Sequence, residues 1–285
     1  MSRELEAYNQ NGKSLTMEMR SYALQSVKDQ YEKYPYPRYQ STDALLTASW
    51  LKKHGLQSKT VIDIGCGTGL WSIAFALNGS SVTAVDFSTA SLSYADKMAR
   101  GLGVSVTFKR ADLFSFETSE RFQLVFCNGV LHHTGNARDG FHRIAQFLEP
   151  GGMLAISLYN RLSPFRLGKF LVRGLGRDSV ESKKLVAQAI IALPLSKALF
   201  TIASRTQPGP FGSAWEYMSS DENLVDLLCH AHTSYHTVWE VKQWYKDEGF
   251  EFILTIPPES ISGAVLPNLL FYLGRRPTSE PAAVS

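Results

Sequence analysis

The stretch Thr60-Val61-Ile62-Asp63-Ile64-Gly65-Cys66-Gly67-Thr68-Gly69-Leu70-Trp71 decides the fold class of this chain. Its β-branched first half predicts a buried strand, because valine and isoleucine suit a pleated surface that is covered on both faces. The glycines that follow allow a sharp turn and a close approach to a ligand, and the apolar run after them predicts a helix. Strand, glycine turn and helix are typical of an open α/β sheet, which binds ligands at the carboxyl ends of its strands.

The spacing of these glycines argues against a bound pyrophosphate. A dinucleotide fingerprint has its third glycine at position 70, whereas this chain has Leu70 there and its glycine one residue earlier, at Gly69. No Gly-Lys-Ser/Thr follows, which excludes a P-loop. A hydride-transferring dinucleotide enzyme is therefore the least favoured alternative.

Composition bounds the class of protein further. The chain has 285 residues, of which 44% are hydrophobic and 19% charged, and a net charge of +3, as in an ordinary globular protein. Three widely spaced cysteines (Cys66, Cys127 and Cys229) disfavour a disulfide framework or a zinc site and predict a cytoplasmic location. We expect no signal peptide and no membrane span, since the most apolar stretch (187–203) is short and interrupted by polar residues.

Strand and helix patterns alternate regularly after the glycine turn. The predicted strands are 61–64, 81–87, 104–108, 122–127 and 153–158, the last preceded by a turn at 149–152. The predicted helices are 70–78, 89–101 and 137–147, and the pattern is completed by a helix at 237–248 and strands at 251–256 and 269–273. Such alternation implies a parallel sheet with right-handed crossovers.

Two segments lie outside this pattern. Residues 1–40 combine a predicted helix (14–34) with Tyr34-Pro35-Tyr36-Pro37-Arg38-Tyr39, an extended segment that either packs as a linker or forms a lid over the ligand. Residues 161–236 are interpreted as a helical cap insertion with helices at 185–193 and 195–203. The predicted core comprises residues 41–160 and is completed by 237–276. Its first helix is expected to be capped by Ser41 or Asp43. Residues 277–285 are predicted to be a disordered tail.

Carboxylates follow successive predicted strands. Asp86 ends the second strand, where it could accept hydrogen bonds from both hydroxyls of a ribose or simply cap the next helix. Asp112 follows the third strand and suits the exocyclic amine of an adenine, while Asp63 either holds the glycine turn or meets a cationic amine. Asn128 leaves the fourth strand at the same edge of the sheet.

Histidines form two groups. His132 and His133 follow Asn128, and His133 is the candidate catalytic base because imidazole titrates near working pH, although either ring could simply pack. His230, His232 and His236 form the second group, preceded by Trp215. Their spacing disfavours a metal site, which leaves acceptor contact, lid closure or helix capping.

The ordered set of motifs resembles the class I S-adenosylmethionine-dependent methyltransferases. The similarity extends over residues 58–160 and is carried by the glycine turn, Val85-Asp86, Ala111-Asp112, Asn128-Gly129-Val130-Leu131-His132-His133 and Leu148-Glu149-Pro150-Gly151-Gly152. Their form is similar to the small-molecule O- and C-methylases of the ubiquinone type. The resemblance implies a Rossmann-like, doubly wound seven-stranded α/β sheet whose last strand is antiparallel, with S-adenosylmethionine as cofactor.

The resemblance also implies a set of site residues. Gly65, Gly67 and Gly69 would flank the methionyl and ribose portions, Asp86 the ribose, Asp112 the adenine and Asn128 the methionyl side. The remaining implied cofactor contacts are Asp63, Cys66, Phe87, Ala111 and Leu113. Candidate contacts to the methyl acceptor are Tyr34, Tyr36, His132, Tyr159, Trp215, His232 and His236, and no metal is implied.

Three functions remain open at this point. The first is methyl transfer to a hydroxyl, amine or carbon of a small molecule, which the aromatic and apolar flanking segments favour. The second is RNA methylation, because the insertion carries nine basic and two acidic residues between 161 and 205. Nucleic acid is nevertheless disfavoured, because Asn128 is followed by Gly-Val-Leu and no RNA module is present. The third is a cofactor-binding protein that transfers no methyl group. The sequence leaves the oligomeric state open.

Overall fold

The computed structural model of the protein describes residues 25, 39–163, 165–175, 179–192, 233–256 and 269–278. Its strands are β1 (Thr60–Ile64), β2 (Ser81–Asp86), β3 (Thr107–Arg110), β4 (Phe122–Asn128), β5 (Leu148–Tyr159), β6 (Glu251–Ile256) and β7 (Leu269–Arg275). Its helices are α1 (Ser41–Lys53), α2 (Leu70–Leu77), α3 (Thr89–Gly101), α4 (Ala137–Ala145), α5 (Phe165–Leu175), α6 (Val180–Ala192) and α7 (Val238–Asp247). A short 3₁₀ turn spans Leu131–His133.

The strands of the described chain form a seven-stranded sheet in the order β3-β2-β1-β4-β5-β7-β6. β1 to β5 pair in parallel, whereas β7 runs antiparallel to both β5 and β6. The predicted doubly wound sheet with an antiparallel last strand is therefore confirmed. The strand order reverses between β1 and β4, and open α/β sheets bind ligands in the crevice beyond such a switch point.

Apolar side chains cover both faces of the sheet. In one cluster, Phe141 of α4 and Tyr245 of α7 are buried with Ile62 of β1. In the other, Leu51 of α1 and Phe75 of α2 are buried against the opposite face. Full burial of side chains of this size stabilises the fold by roughly 1.5–3 kcal/mol each. The sheet therefore gives the glycine turn a firmly packed base.

The prediction for β3 was wrong by three residues. β3 starts at Thr107 rather than Val104, because the chain must first close α3. The Val104 N–H donates to the Ala99 carbonyl at 3.1 Å, and Gly103 has a left-handed φ of +67°. This is the hydrogen-bond pattern of a glycine-terminated helix, so Val104 closes α3 and does not begin the strand.

The predicted start of β5, at residue 153, was also wrong. β5 begins at Leu148, so the predicted turn at 149–152 lies inside the strand. Phe122 of β4 pairs with Leu148, whereas Leu124 pairs with Met153, and the unpaired residues between them form an irregularity with Gly151 at φ +79°. Proline and glycine here bend the strand without ending it.

Helix capping agrees with the predictions in one case and differs in the other. Thr237 caps α7, which confirms the predicted helix at 237–248 to within a residue. α1 is capped by Gln40 rather than by Ser41 or Asp43, and the Asp43 carboxylate accepts the Gln40 N–H at 2.7 Å in a capping box. The reciprocal bonds satisfy donors that the first helical turn leaves free.

Two helices follow β5 within the predicted insertion. α6 contains the predicted helix at 185–193 up to Ala192, whereas α5 was not predicted. Apart from Gln25, the predicted helix at 14–34 lies outside the described residues, as do the Tyr34–Tyr39 segment before Tyr39, the helix at 195–203 and the tail after residue 278. Among the helices of the described chain, none has the length and apolar character that crossing a bilayer requires.

Candidate functional site

A cavity opens at the carboxyl ends of β1, β2 and β4. Its empty volume is about 1030 Å³, which includes the solvent-filled mouth. Its lining comprises Asp63, Ile64, Gly65, Cys66, Gly67, Trp71, Val85, Asp86, Phe87, Ser88, Ser91, Ala111, Asp112, Leu113, Phe114, Asn128, Gly129, Val130, His133 and Thr134.

The glycine turn forms one wall of this cavity. Gly65 has a φ of +73°, and a Cβ built on it would lie 2.3 Å from a methyl carbon of Val130, on the facing wall. The turn is fastened to β2 because the Gly65 N–H donates to the Val85 carbonyl at 2.7 Å and the Gly67 N–H donates to the Asp86 carboxylate at 2.8 Å. Glycine at position 65 therefore allows Val130 to pack directly against the turn.

Gly69 has a packing role instead. It lies outside the cavity lining and precedes α2 with a φ of +83°. A Cβ on Gly69 would lie 2.6 Å from the Cβ of Ala95 in α3. The third glycine therefore permits the close approach of two helices.

We expect Gly69→Ala to lower the free energy of unfolding by about 2–5 kcal/mol, since left-handed strain costs about 1–2 kcal/mol and overpacking about 1–3 kcal/mol. Gly79→Ala is the matched control, because Gly79 has a φ of +88° but no atom within 4 Å of a built Cβ. Urea unfolding of both variants measures the difference. Equal losses would contradict the packing role of Gly69.

Asp86 joins the glycine turn to α3. One carboxylate oxygen accepts the Gly67 N–H and the other accepts the Ser88 N–H, both at 2.8 Å. The side chain is 8% exposed and borders the cavity. The carboxylate therefore supports Ser88, the residue that caps α3, and borders the cavity, while its contact with a ribose stays a prediction.

Asp63 is a buried carboxyl group at the base of the cavity. Burial raises its pKa to about 7; the hydrogen bond from the Ser72 hydroxyl at 2.5 Å opposes this rise, and the charge of Asp86 adds to it. The neighbouring Cys66 and Cys127 are free thiols whose pKa values burial raises well above the usual range. Asp63 is therefore a carboxyl group whose charge changes near neutral pH.

This pKa predicts a pH dependence of stability. Because the folded pKa lies above the unfolded value of 3.8, the contribution of Asp63 to folding is full below about pH 4 and is lost as pH rises through 7. Relative to Asp63→Asn, the free energy of unfolding of the wild-type chain should fall by up to roughly 4 kcal/mol between about pH 4 and pH 8. Urea unfolding of both proteins across that range measures the change.

Asp96→Asn serves as its control, because Asp96 lies on the surface in an ion pair with Arg100. The difference in the free energy of unfolding between Asp96→Asn and wild type should change by less than about 1 kcal/mol over the same pH range. An unchanged difference for Asp63→Asn would show that Asp63 is ionised normally.

The end of β4 is braced from β5. The Ser157 hydroxyl donates to the Asn128 side-chain oxygen at 2.6 Å and accepts the Gly129 N–H at 2.7 Å. The bonded oxygen leaves the Asn128 amide nitrogen as the donor of this side chain. His133 lines the cavity a few residues further on, and its ring lies 4.2 Å from that of His132.

The structure brings together most of the predicted cofactor contacts, and Gly69 alone of them is absent from the lining. His132, Tyr159 and His236 also lie outside it and are 1%, 7% and 7% exposed. Tyr34, Tyr36, Trp215 and His232 lie outside the described residues. Trp71, Ser91, Phe114 and Thr134 were missed, although Trp71 and Phe114 immediately follow the motifs used.

The charge of the lining restricts the ligand. Asp63, Asp86 and Asp112 contribute carboxyl groups, whereas the described lining contains neither lysine nor arginine. Phosphate sites use basic side chains or several free backbone N–H groups, and here the Gly65 and Gly67 N–H groups already have partners. The cavity therefore favours a neutral or cationic ligand. Among the described residues, no group of three or more His, Cys, Asp or Glu side chains is placed to hold a metal ion.

Comparison with known proteins agrees with this geometry. Residues 61–152 match the family model described as a methyltransferase domain. The ubiquinone biosynthesis O-methyltransferase of Azotobacter vinelandii is 34% identical over 149 residues, which are 50% of this chain and 64% of that protein. Its counterpart in Stutzerimonas stutzeri is 34% identical over 119 residues, which are 41% and 51% of the two chains. The chain thus matches 64% and 51% of the length of these two relatives.

Two solved structures share the fold. Magnesium protoporphyrin IX methyltransferase from Synechocystis PCC 6803, with bound SAH, has a TM-score of 0.50 at 18% identity and covers 90% of this chain and 97% of its own. An S-adenosylmethionine-dependent methyltransferase from Clostridium acetobutylicum has a TM-score of 0.51 at 12% identity, covering 84% and 93%. The chain therefore has the α/β fold of these two proteins. Residues 61–152 are similar to a methyltransferase domain, in agreement with the family that the sequence motifs resemble.

Proposed function

We propose that the protein binds S-adenosylmethionine in this cavity and transfers its methyl group to a hydroxyl, amine or carbon of a small-molecule acceptor. The observation that carries the proposal is the lining, with three carboxyl groups and neither lysine nor arginine among its described residues. Such a lining suits a cationic nucleoside and opposes a dinucleotide. When bound, this cofactor supplies an electrophilic methyl group on a sulfonium leaving group.

The lining residues have separate roles in this proposal. Asp86 would hold the ribose hydroxyls, Asp112 and Leu113 would border the adenine, and Asn128 and Asp63 would border the methionyl group. Their positions at the ends of neighbouring strands support this assignment. Holding two reactants in line can lower a barrier by about 7–11 kcal/mol at best, so alignment is the main contribution of the chain.

His133 is proposed as the base that accepts a proton from a hydroxyl or ammonium acceptor. Its place in the cavity wall supports this role. The insertion (161–236) and residues 1–40 are proposed to enclose the acceptor, with Tyr34, Tyr36, Trp215 and His232 as candidate contacts. The buried free thiols of Cys66 and Cys127 support a cytoplasmic location.

Calorimetry and product analysis test the function together. We expect S-adenosylmethionine to bind and NAD to show no binding. Mass spectrometry should detect S-adenosylhomocysteine and a methylated product with an acceptor from a panel of phenols, catechols, amines and carboxylic acids. Bulk RNA serves as the competing acceptor, and methylation of RNA alone would overturn the small-molecule proposal. Cofactor binding without product from any acceptor would favour a protein that uses the cofactor in another way.

A further inference from the structure

The chain returns to the core immediately beside the cavity. After the insertion, residues 233–237 lie between the 3₁₀ turn and the end of β5. The Ser234 N–H donates to the His132 carbonyl at 2.8 Å, and the His236 N–H donates to the Tyr159 carbonyl at 2.9 Å. The first bond attaches the returning segment to His132, the residue before His133 in the cavity wall. The second attaches it to Tyr159 at the end of β5.

A chain of side-chain hydrogen bonds runs through the same segment. Glu240 of α7 lies 2.8 Å from His236 Nδ1, and His236 Nε2 lies 2.8 Å from the Ser234 hydroxyl. The other carboxylate oxygen of Glu240 pairs with Arg161 at 3.1 Å. We call Ser234, His236 and Glu240 the relay. It connects an ion pair at the protein surface with a half-buried hydroxyl beside the His132 carbonyl.

The charge of Glu240 determines the direction of these bonds. Burial alone would raise its pKa, but the hydrogen bond from His236 and the positive charges of His236 and Arg161 outweigh burial, so its pKa is lowered. An ionised carboxylate only accepts hydrogen bonds, so His236 Nδ1 carries the proton, as inferred from the network. In the neutral ring, Nε2 then accepts from the Ser234 hydroxyl, whereas in the charged ring, whose charge helps to lower the pKa of Glu240, Nε2 donates to the Ser234 oxygen.

The Ser234 hydroxyl has a second acceptor within reach. Its oxygen lies 3.3 Å from the His132 carbonyl oxygen and 2.8 Å from His236 Nε2, so the protonation of His236 decides whether the single hydroxyl proton is donated to the ring or to that carbonyl. The relay therefore acts on the main chain of the turn Leu131–His133. The centroid of the His132 ring, in turn, lies 4.0 Å from that of the Tyr159 ring and 4.2 Å from that of the His133 ring.

Serine, histidine and glutamate in this order are also the groups of an acyl hydrolase. A hydrolase needs backbone donors that are aimed at the oxyanion beside its serine. Here the Ser234 N–H already donates to the His132 carbonyl. The arrangement consequently favours control of the neighbouring turn over nucleophilic attack.

We propose that Ser234, His236 and Glu240 are positioning residues that hold the His132–His133 turn, and with it the His133 imidazole, in place at the cavity wall. The inference rests on the proposed methyl transfer and adds three residues outside the cavity to its machinery. Displacing a reacting group by about 1 Å can cost up to 100-fold in rate, so loss of this support should affect turnover.

Steady-state kinetics of Ser234→Ala, Ser234→Thr and Glu240→Gln test the relay. We expect kcat to fall about tenfold or more in the alanine and glutamine variants, with Kd for S-adenosylmethionine within about twofold of wild type. Threonine retains the hydroxyl and should restore most of kcat. Glutamine can still close the capping box of α7, so Glu240→Gln separates charge from helix capping.

Glu248→Gln is the matched control. Glu248 ends the same helix and lies 2.8 Å from Nδ1 of His142, which reproduces the Glu–His contact away from the cavity. Its kcat should equal that of wild type. An equal loss in Glu240→Gln and Glu248→Gln would reduce the relay to a stabilising contact and overturn the proposal.

Nitrogen-15 NMR of the histidine rings gives a readout that needs no acceptor. The His133 ring signals should shift in Ser234→Ala and Glu240→Gln but not in Glu248→Gln. Shifts confined to His236, together with unchanged kcat, would overturn the relay and leave only a cap of α7. A wild-type protein without methyl transfer would contradict the proposed function, while the His133 signals would still decide whether the relay reaches the cavity.

Discussion

Replacing Asp86 by alanine is expected to weaken S-adenosylmethionine binding by about 100- to 10,000-fold. The proposed pair of charge-assisted hydrogen bonds to the ribose contributes about 1.5–3 kcal/mol each. The variant also leaves the Gly67 and Ser88 N–H groups without their acceptor, so the glycine turn loses its link to β2. Isothermal titration calorimetry at constant pH measures the change in Kd.

Two further variants separate ligand contact from support of the turn. Asp86→Asn keeps one carbonyl oxygen and should lose less affinity than Asp86→Ala. Asp43→Ala removes another carboxylate that caps a helix, at the exposed start of α1, and should leave Kd unchanged. An unchanged Kd in folded Asp86→Ala would show that the ribose does not lie at the end of β2.

Replacing His133 by asparagine is expected to lower kcat by about 100- to 10,000-fold for a hydroxyl or ammonium acceptor, because the variant lacks the proposed general base. Asparagine retains a polar side chain of similar reach but cannot accept a proton near neutral pH. The Kd for S-adenosylmethionine should change little. Stopped-flow single turnovers, which separate methyl transfer from product release, measure the effect.

The acceptor provides the control for this prediction. A phenol that is already ionised at high pH needs no base, so the loss of rate in His133→Asn should shrink as pH rises above the pKa of that phenol. A constant loss at all pH values would assign His133 to packing of the turn. Loss of cofactor binding instead of kcat would place its role in the cofactor site.

The cofactor half of the site could be predicted from the sequence because its residues follow directly from local patterns. Buried strands end at Ile64 and Asp86, and parallel pairing brings these ends together at one edge. A shift of β3 by three residues did not matter, because Asp112 still follows the strand and lines the cavity. Strand order and strand ends therefore placed the predicted carboxylates correctly.

The acceptor half could not be predicted in the same way. His132 and Tyr159 were expected to contact the acceptor, but their rings pack together and are buried outside the cavity lining. His236 is likewise directed to Ser234 and Glu240. The sequence shows only that aromatic and basic-ring side chains occur near strand ends. Whether such a ring faces a ligand or another ring depends on packing between distant segments.

The sequence by itself determined most of the strands, the glycine turn and the carboxylates that follow the strands, because runs of apolar residues and turn glycines are properties of residues close in the chain. Only the tertiary structure decided that Gly69 allows α2 and α3 to approach closely, that Asp63 has a pKa of about 7, and that the Ser234 hydroxyl lies beside the carbonyl of His132. Each of these depends on groups far apart in sequence, whose burial and hydrogen bonds exist only once the chain has packed.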